Sequence, residues 1–397
     1  MDCPQLVCAV TRHSEVLGFL VIDSTVGGRA CGGLRMLPDI GEPEMRGLAR
    51  AMTLKYGFLG LPQGGAKAGV RGDPEAPQEE RRQRLREFAQ AIAPLLRQRI
   101  YVPGTDMGTD NADIRYMLES VGVRPKRREL RGTHSGYYTA LTVVAGIKQA
   151  APRLGLSLAG SRVAIEGFGK VGAPLASLLA EAGARIVAIS TTEGAIFNSD
   201  GLDVGRLREL ATNAGKAVVD RYPHAEHIDK AALLELQVDI LCPCARHNSI
   251  HEGNAPRLAA RLVCPGANNP VTPGAERILF ERGILCLPDF VTNCGGVLGG
   301  TMEFASLDAT RIAPFIERHI GPRIGWILDE AERQSLPPRL IAEPLALRRF
   351  AEMQSSADHP TPLARLFQAA LELYRRGMIP GPFVATLSLS YFTRRLA

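Results

Sequence analysis

One short glycine motif, GFGKVG at residues 167–172, limits the folds open to this chain more than any other segment. It follows the strand-like run Arg162–Glu166 and opens a predicted helix over residues 170–182, and a second strand-like run, 184–190, completes a βαβ unit. The first glycine permits a tight turn, the second lets the backbone approach a pyrophosphate, and the third lets the helix pack on the strand. The motif predicts a dinucleotide site formed by Gly167, Phe168, Gly169, Lys170, Val171 and Gly172.

The end of the second strand departs from the usual pattern of such sites. NAD-binding units generally place an acid there for the ribose 2′-hydroxyl, whereas this chain has Thr191 and Thr192 before Glu193. Hydroxyl groups repel a 2′-phosphate less than a carboxylate does. The sequence therefore leaves both NAD and NADP open as cofactors, with Thr191 at the cofactor.

The chain has three regions with different patterns of predicted strands and helices. Two strand-like runs precede residue 30, followed by a helical pattern over 42–58, a glycine-rich segment over 61–70 that reads as a turn, and a charged amphipathic segment over 77–99. Short β-branched runs alternate with helical stretches between 158 and 296, which is typical of a parallel sheet. Helical patterns follow at 312–334 and 362–378. The 397 residues are enough for two domains.

The predicted fold class is α/β, with three parts. Residues 1–132 form an N-terminal α/β domain for substrate binding and oligomerisation. Residues 133–300 form a Rossmann-type, doubly wound dinucleotide-binding domain, and residues 301–397 form a helical segment that packs back on the first domain.

Composition excludes several classes of protein. A net charge of +6 without strong clustering does not indicate nucleic acid binding, and no apolar run has membrane-spanning length. Eight cysteines without a disulfide-like spacing, and a start without a secretory pattern, favour a reducing, cytoplasmic location. The segment LCPCARH, residues 241–247, does not have a standard zinc spacing, so we expect no metal.

Three charged residues of the N-terminal part lie in glycine-rich surroundings: Lys55, Lys67 and Asp106. Taken singly, each is more commonly a solvated surface charge. A lysine in an apolar, glycine-lined site has a lowered pKa and handles protons near neutral pH, a second, charged lysine binds a carboxylate, and an aspartate relays protons to or from an amine.

The order of the motifs resembles the amino acid dehydrogenase superfamily of glutamate, leucine, valine and phenylalanine dehydrogenases. The resemblance covers residues 16–303 and is specific because many separate motifs agree in order. They are GGLR at 32–35, MTLK at 52–55, GGAK at 64–67, GTDMG at 104–108, YTA at 138–140, GFGKVG, GAIFNSDGLD at 194–203, GANNPVTPGAERIL at 266–279 and PDFVTNCGGV at 288–297.

The resemblance implies a role for each matching residue. Lys55 is expected to hold the substrate α-carboxylate beside Gly32 and Gly33, Lys67 to be the catalytic lysine, and Asp106 to shuttle protons to the substrate nitrogen. Five further residues are expected to lie beside the nicotinamide or to line the cofactor and substrate site: Thr139, Cys244, Ala245, Asn268 and Asn293. The implied reaction is reversible oxidative deamination of an L-amino acid to a 2-oxo acid and ammonia, by a homo-oligomer that is at least a dimer.

The expected side-chain pocket differs from that of glutamate dehydrogenases. Cys31 stands where they carry a lysine for the γ-carboxylate, and Gly300 stands where they carry a serine. An unpaired carboxylate in a dry pocket is costly. With Gly104, these positions predict an apolar or aromatic substrate. Glutamate dehydrogenase is the alternative, and a catalytically inactive NAD(P)-binding regulator is the second alternative. The basic run 124–131 reads either as a solvated loop or as a phosphate contact.

Overall fold

The computed structural model describes residues 4–126, 129–130 and 134–396. The chain divides into two compact units. Unit 1 comprises Met1–Arg131, Phe304–Ser306 and Leu345–Ala397, and unit 2 comprises Gly132–Glu303 and Leu307–Pro344. The predicted boundary between residues 132 and 133 lies outside the described residues, and the three-part division stays a prediction.

Unit 1 contains a mixed sheet that has the order β1-β2-β4-β3-β5 over the described residues. β1, β2 and β4 pair antiparallel, whereas β3 pairs parallel with both β4 and β5. The strands are β1 (Leu6–Arg12), β2 (Glu15–Ile22), β3 (Ala30–Leu37), β4 (Gly64–Arg71) and β5 (Tyr101–Thr105). The helices in this part of the chain are α1 (Glu42–Leu59), α2 (Gln78–Ala91), α3 (Ala93–Arg97) and α4 (Asn111–Glu119).

The glycine-rich segment that reads as a turn in the sequence is instead the buried strand β4. Its glycines leave room for neighbouring backbone and side chains. A Cβ at Gly65 would lie 2.3 Å from the backbone nitrogen of Thr53 on α1, and a Cβ at Gly69 would lie 2.6 Å from Ile40. The low β-propensity of glycine is overridden here because only glycine lets α1 lie this close to the strand.

Unit 2 contains a sheet that has the order β12-β11-β10-β6-β7-β8-β9 in the described part of the chain. The strands from β12 to β7 in this order are parallel, and β8 and β9 add antiparallel. This confirms the predicted α/β class with a Rossmann-type parallel sheet. The strands are β6 (Arg162–Glu166), β7 (Arg185–Ser190), β8 (Ala195–Phe197), β9 (Glu226–Ile228), β10 (Ile240–Pro243), β11 (Leu262–Val263) and β12 (Leu285–Cys286).

Helices flank this sheet and continue to the end of the chain. Those of unit 2 are α5 (Ser135–Ala150), α6 (Gly172–Glu181), α7 (Val204–Ala214), α8 (Val218–Arg221), α9 (Lys230–Glu235), α10 (Pro273–Glu281), α11 (Asp289–Thr292), α12 (Gly295–Phe304) and α13 (Ala309–Gln334). Three more complete the C-terminal segment: α14 (Pro338–Asp358), α15 (Pro362–Arg375) and α16 (Gly381–Leu396). No helix in the described residues is long and apolar enough to cross a membrane.

The C-terminal segment is helical, as predicted, and its residues group with both units. Leu307–Pro344 groups with unit 2 and Leu345–Ala397 with unit 1, so α14 begins in one unit and ends in the other. Within unit 1, α14 packs closely on α1 because Gly57 has no side chain. A Cβ there would lie 2.1 Å from the carbonyl oxygen of Ala346.

Candidate active site

Lys67 and Asp106 form a buried ion pair in unit 1. Lys67 lies on β4, Asp106 follows β5, and β3 runs between these strands. The Lys67 Nζ contacts Oδ2 of Asp106, and the two side chains are 4% and 16% exposed. The topology thus brings together two residues that the sequence places in separate motifs.

Gly33 on β3 lies beside this ion pair and, because it has no side chain, leaves the space next to the pair open. A Cβ at Gly33 would lie 2.9 Å from Cβ of Asp106 and 3.3 Å from Nζ of Lys67. At the preceding position, a Cβ on Gly32 would lie 1.6 Å from the carbonyl oxygen of Ala66. Both glycines are therefore required by close approach, at Gly33 to the charged pair itself and at Gly32 to the backbone of β4.

Burial and neighbouring charges shift the pKa values of both members of this pair. Burial alone would raise the pKa of Asp106, but the Lys67 ammonium and the Arg35 guanidinium together hold it well below its usual range. Burial lowers the pKa of Lys67, and the attraction of Asp106 only partly opposes this effect. Asp106 is thus ionised in the resting site, whereas Lys67 is a cation that loses its proton more readily than an exposed lysine.

Arg35 and Glu44 extend the pair into a buried network that the sequence did not assign. The Nε of Arg35 donates to Asp106 at 3.3 Å, and its Nη1 contacts Oε1 of Glu44 on α1. The side chains of Arg35 and Glu44 are each only 5% exposed. Arg35 is the last residue of the motif GGLR. Its position two residues after Gly33 could have indicated from the sequence that it lies near the Lys67–Asp106 pair.

Lys55 is buried on α1, in the same unit as Lys67, and is 4% exposed. Two residues earlier, Thr53 is hydrogen bonded to Ser24 at 2.6 Å, and the Oγ of Ser24 accepts from the backbone N–H of Gly65 at 3.0 Å. These bonds fix this part of α1 against the start of β4. A lysine buried this far is not the solvated surface charge that is the common case.

Cys31 and Gly104 lie on the neighbouring strands β3 and β5. The Tyr56 hydroxyl bonds the Cys31 thiol; burial raises the pKa of that thiol, and Tyr56 and the more distant guanidinium of Arg375 oppose the rise. A Cβ at Gly104 would meet no described atom within 4 Å. Gly104 therefore faces open space, whereas the Cys31 thiol is buried and bonded to Tyr56.

Arg375 ends helix α15 and is a residue that the sequence reasoning missed. The helix is attached within unit 1 because the Tyr374 hydroxyl is 2.7 Å from Oγ of Ser306 and donates to the carbonyl of Phe304 at 2.7 Å. The Arg375 guanidinium lies 5.8 Å from the centre of the Phe304 ring. Its Nε is buried and has no hydrogen-bond partner among the described residues.

The glycine motif in unit 2 has the geometry of a phosphate-binding turn. Gly167 has φ +93°, a conformation that side chains disfavour, and a Cβ at Gly172 would lie 1.9 Å from the carbonyl oxygen of Gly167. A Cβ at Gly169 would meet nothing within 4 Å in the described part of the chain. The backbone at Gly169 is therefore open to a ligand beside the N-terminus of α6, so the turn fits a dinucleotide pyrophosphate.

The remaining motif residues frame this turn. Phe168 is buried, and its N–H donates to the Ser190 carbonyl at 2.6 Å. Lys170 and Val171 precede the helix, which begins at Gly172 rather than at the predicted residue 170. The Gly169 carbonyl accepts the Ala173 N–H at 3.0 Å, so the first helical hydrogen bond reaches back to the glycine turn. Thr191 donates through Oγ1 to the Lys216 carbonyl at 2.7 Å.

Two more predicted cofactor positions lie at strand ends of the same sheet. Cys244 follows β10, and its N–H donates to the Glu166 carbonyl at 2.7 Å. A Cβ at Gly167 would lie 3.0 Å from Ala245, so Ala245 packs directly on the glycine turn. Thr139 on α5 is buried and donates to the Ser135 carbonyl at 2.9 Å.

Asn268 and Asn293 are in contact, and one of their oxygens is unsatisfied. The Nδ2 of Asn293 donates to the Ala267 carbonyl at 2.7 Å and to Oδ1 of Asn268 at 3.2 Å. The Oδ1 of Asn293 is buried without a partner in the described structure. A buried acceptor of this kind fits a donor from a ligand. A Cβ at Gly300 on α12 meets no described atom within 4 Å.

Two further expectations concern metals and the basic run. The described residues contain no group of three or more His, Cys, Asp or Glu side chains placed to hold a metal ion. Arg124 and Lys126 are exposed. The other arginines of the run, Arg127, Arg128 and Arg131, lie outside the described residues.

Two family models match the two parts of the chain that carry these sites. Residues 7–122 match the model described as "Glu/Leu/Phe/Val dehydrogenase, dimerisation domain", and residues 133–315 match "Glutamate/Leucine/Phenylalanine/Valine dehydrogenase". The chain belongs to the glutamate/leucine/phenylalanine/valine dehydrogenase family. This confirms the resemblance seen in the motifs, and this family member is an amino acid dehydrogenase.

Several relatives are similar over most of the chain. A glutamate dehydrogenase of Thermotoga maritima is 36% identical, covering 85% of this chain and 86% of its own length. An NAD-specific glutamate dehydrogenase of Staphylococcus aureus is 33% identical, covering 82% of both. An NADP-specific glutamate dehydrogenase of Saccharolobus shibatae is 34% identical, covering 69% of this chain and 67% of its own.

Among solved structures, the hetero-hexameric glutamate dehydrogenase of Thermus thermophilus in a leucine-bound form is similar. It has a TM-score of 0.74 and 26% identity, and the match covers 88% of this chain and 89% of that chain. The dehydrogenase described here therefore shares both its sequence motifs and its fold with this family. The roles assigned to single residues stay predictions.

Proposed function

We propose that this dehydrogenase catalyses reversible oxidative deamination of an L-amino acid to the 2-oxo acid and ammonia, with NAD or NADP. The observation that carries the proposal is the buried contact of Lys67 with Asp106 next to the bare backbone of Gly33. A carboxylate that is ionised at rest and a lysine with a lowered pKa place two groups that can exchange protons in one buried site.

Each buried charge has one task in this scheme. Lys55 pairs with the substrate α-carboxylate, and Asp106 accepts a proton from the substrate amine. A nicotinamide bound in unit 2 would supply the acceptor for the hydride of Cα, so that the neutral amine of the substrate becomes an iminium ion. Neutral Lys67 removes a proton from the water that attacks the iminium carbon, which gives a carbinolamine. Asp106 returns its proton to the nitrogen, and its carboxylate accepts the hydroxyl proton as ammonia leaves and the 2-oxo acid forms.

The cofactor is held by residues of unit 2. The N–H groups at the start of α6 and the open backbone at Gly169 accommodate the pyrophosphate. At the end of β7, Thr191 offers a hydroxyl instead of an acid, so the site rejects neither NAD nor NADP. Similar relatives include both NAD-specific and NADP-specific enzymes.

L-Glutamate is the first candidate substrate. The relatives named above are glutamate dehydrogenases, which favours this alternative over an apolar substrate. Although Cys31 provides no charge, the partly buried Arg375 is close enough to lower the pKa of the Cys31 thiol. Its nearest carboxylate, Glu372, is 3.9 Å away. We therefore assign Arg375 as the candidate cation for a side-chain carboxylate of the substrate.

An apolar or aromatic L-amino acid is the second candidate. Cys31 and Gly300 lack the lysine and serine expected for a glutamate site, and Gly104 and Gly300 face open space within their own units. Each of these positions suits a bulky, uncharged substrate side chain better than a carboxylate.

The direct test follows nicotinamide absorbance at alkaline pH with each L-amino acid and with NAD+ and NADP+ in parallel. Reduction with glutamate supports the Arg375 assignment, and reduction with leucine, valine, phenylalanine or tryptophan but not glutamate supports the apolar one. Cofactor binding without reduction by any amino acid would contradict the proposal and favour an inactive NAD(P)-binding regulator.

We also propose that the enzyme is a homo-oligomer, at least a dimer. Its residues 7–122 match a model described as a dimerisation domain. Light scattering after size-exclusion chromatography tests this, and a mass near 42.8 kDa would contradict it.

A further inference from the structure

The residues that follow β7 lie where a Rossmann-type sheet binds the adenosine ribose of a dinucleotide. The glycine turn is tied to the end of this strand, because the Gly167 N–H donates to the Ser190 hydroxyl at 3.0 Å and the Phe168 N–H donates to the Ser190 carbonyl at 2.6 Å. A ribose attached to a pyrophosphate at this turn therefore lies beside Thr191 and Thr192.

The Thr191 hydroxyl is engaged within the protein both as a donor and as an acceptor. It donates its single proton to the Lys216 carbonyl at 2.7 Å and accepts the Glu193 N–H at 3.2 Å. NAD-binding sites generally place a carboxylate here, which accepts the proton of the ribose 2′-hydroxyl. Thr191 offers no negative charge for this purpose and therefore gives NAD no advantage over NADP.

A lysine from another element brings a positive charge to the same strand end. Lys230 begins α9, and its Nζ donates to the Thr192 carbonyl at 3.0 Å. This bond uses one of the three N–H donors of the ammonium group, which leaves two for the oxygens of a ligand in the described part of the chain. A lysine held in this way binds a phosphate group as a point charge.

Two more charged residues lie close to this place. Lys216 is exposed and is adjacent to Thr191, whose hydroxyl its carbonyl binds. Glu193 is also exposed, and its Oε1 accepts from the Thr192 hydroxyl at 3.3 Å. Two lysines thus flank the strand end against one exposed glutamate, and this balance favours an anionic group over a neutral hydroxyl.

We propose that Lys230 forms a subsite for the 2′-phosphate of NADP, with Lys216 as a second cation, and that the enzyme prefers NADP to NAD. This inference rests on the proposed dinucleotide site of unit 2 and adds a specificity to it. Because the bond to Thr192 already orients the Lys230 ammonium, binding a phosphate there costs little further ordering of the side chain.

The test uses calorimetric titration of the full-length protein with two adenine nucleotides that differ only in the 2′-phosphate, 2′,5′-ADP and 5′-AMP. We expect 2′,5′-ADP to bind at least tenfold more tightly than 5′-AMP, and NADP+ at least tenfold more tightly than NAD+, where tenfold corresponds to about 1.4 kcal/mol. These binding measurements require no turnover. Equal affinities within each pair, or tighter binding of 5′-AMP and NAD+, overturn the preference.

Variants of Lys230 locate the subsite. Lys230→Met removes the charge and should raise the dissociation constant of NADP+ at least tenfold, while that of NAD+ stays within about twofold. Lys230→Arg keeps the charge and should retain the preference, and Lys148→Met, at an exposed position of α5, is the control. If Lys230→Met weakens both cofactors equally, the residue only supports the turn, and the assignment is overturned.

The reciprocal variant Thr191→Asp supplies the acid that NAD-binding sites carry. We expect it to lower the affinity for NADP+ relative to NAD+ at least tenfold, because a carboxylate repels the 2′-phosphate. An unchanged ratio overturns the placement of the ribose at this strand end. Failure of both cofactors to bind the wild type overturns the dinucleotide site and this inference together, whereas equal binding of both overturns this inference alone.

Discussion

Arg35 donates through Nε to the same carboxylate oxygen of Asp106 that contacts Lys67. One acid is thereby shared between two buried cations, and Arg35 is held in turn by Glu44. Arg35 keeps Asp106 ionised and lowers the pKa of Lys67. In the proposed scheme it acts on the substrate only through Asp106 and Lys67 and is therefore a positioning residue.

Replacing Arg35 should move the pH profile of the reaction. Arg35→Met removes a positive charge that lowers the pKa of Lys67, so that pKa rises and the alkaline rise of kcat for deamination shifts to higher pH. Arg35→Lys keeps the charge and should restore much of the wild-type profile, and Arg46→Met on the exposed face of α1 serves as the control. A profile that stays in place in Arg35→Met would show that Lys67 is not the titrating base.

Gly169 should be needed for the cofactor but not for folding. In Gly169→Ala no described atom of the chain lies within 4 Å of the new methyl group. The methyl group nevertheless occupies the space that we assign to the pyrophosphate. We expect the dissociation constants of NAD+ and NADP+ to rise at least tenfold with little change in melting temperature. Ser177→Ala on the same helix is the control. Wild-type cofactor affinity in Gly169→Ala would argue against this binding turn.

Arg375 should decide whether glutamate is accepted. If its guanidinium binds the side-chain carboxylate, Arg375→Leu should raise the KM for glutamate at least tenfold, because the lost charge-assisted bond is worth about 1.5–3 kcal/mol. Arg376→Leu, an exposed neighbour, should have little effect. Adding Cys31→Lys to Arg375→Leu should recover glutamate turnover. Equal KM values for the wild type and Arg375→Leu would leave the apolar substrate as the better proposal.

The local motifs were sufficient to predict much of the fold, because the glycine turn and the alternating runs of unit 2 are short-range signals. The segment 61–70 was misread as a turn, since the reason for its glycines is the backbone of α1 packed against β4.

The charged partners of the site were harder to predict. Arg35 contacts Asp106 because β3 lies between β4 and β5, and that order is set by the whole sheet. Glu44 joins the network through Arg35. Arg375 comes from a tail with little resemblance to the family motifs and reaches the vicinity of Cys31 through the attachment of Tyr374 to Ser306. Periodicity and spacing do not contain such long-range contacts.

The turnover of Lys67→Ala with the best substrate of the amino acid panel tests the central claim most directly. Loss of a positioned base costs typically 10²–10⁴-fold in rate. We predict a decrease of kcat within about this range, with unchanged NAD(P)+ affinity and a cooperative thermal transition, whereas exposed Lys148→Ala retains wild-type turnover. Turnover in Lys67→Ala within about twofold of the wild type would contradict the account of the Lys67–Asp106 pair as the catalytic centre.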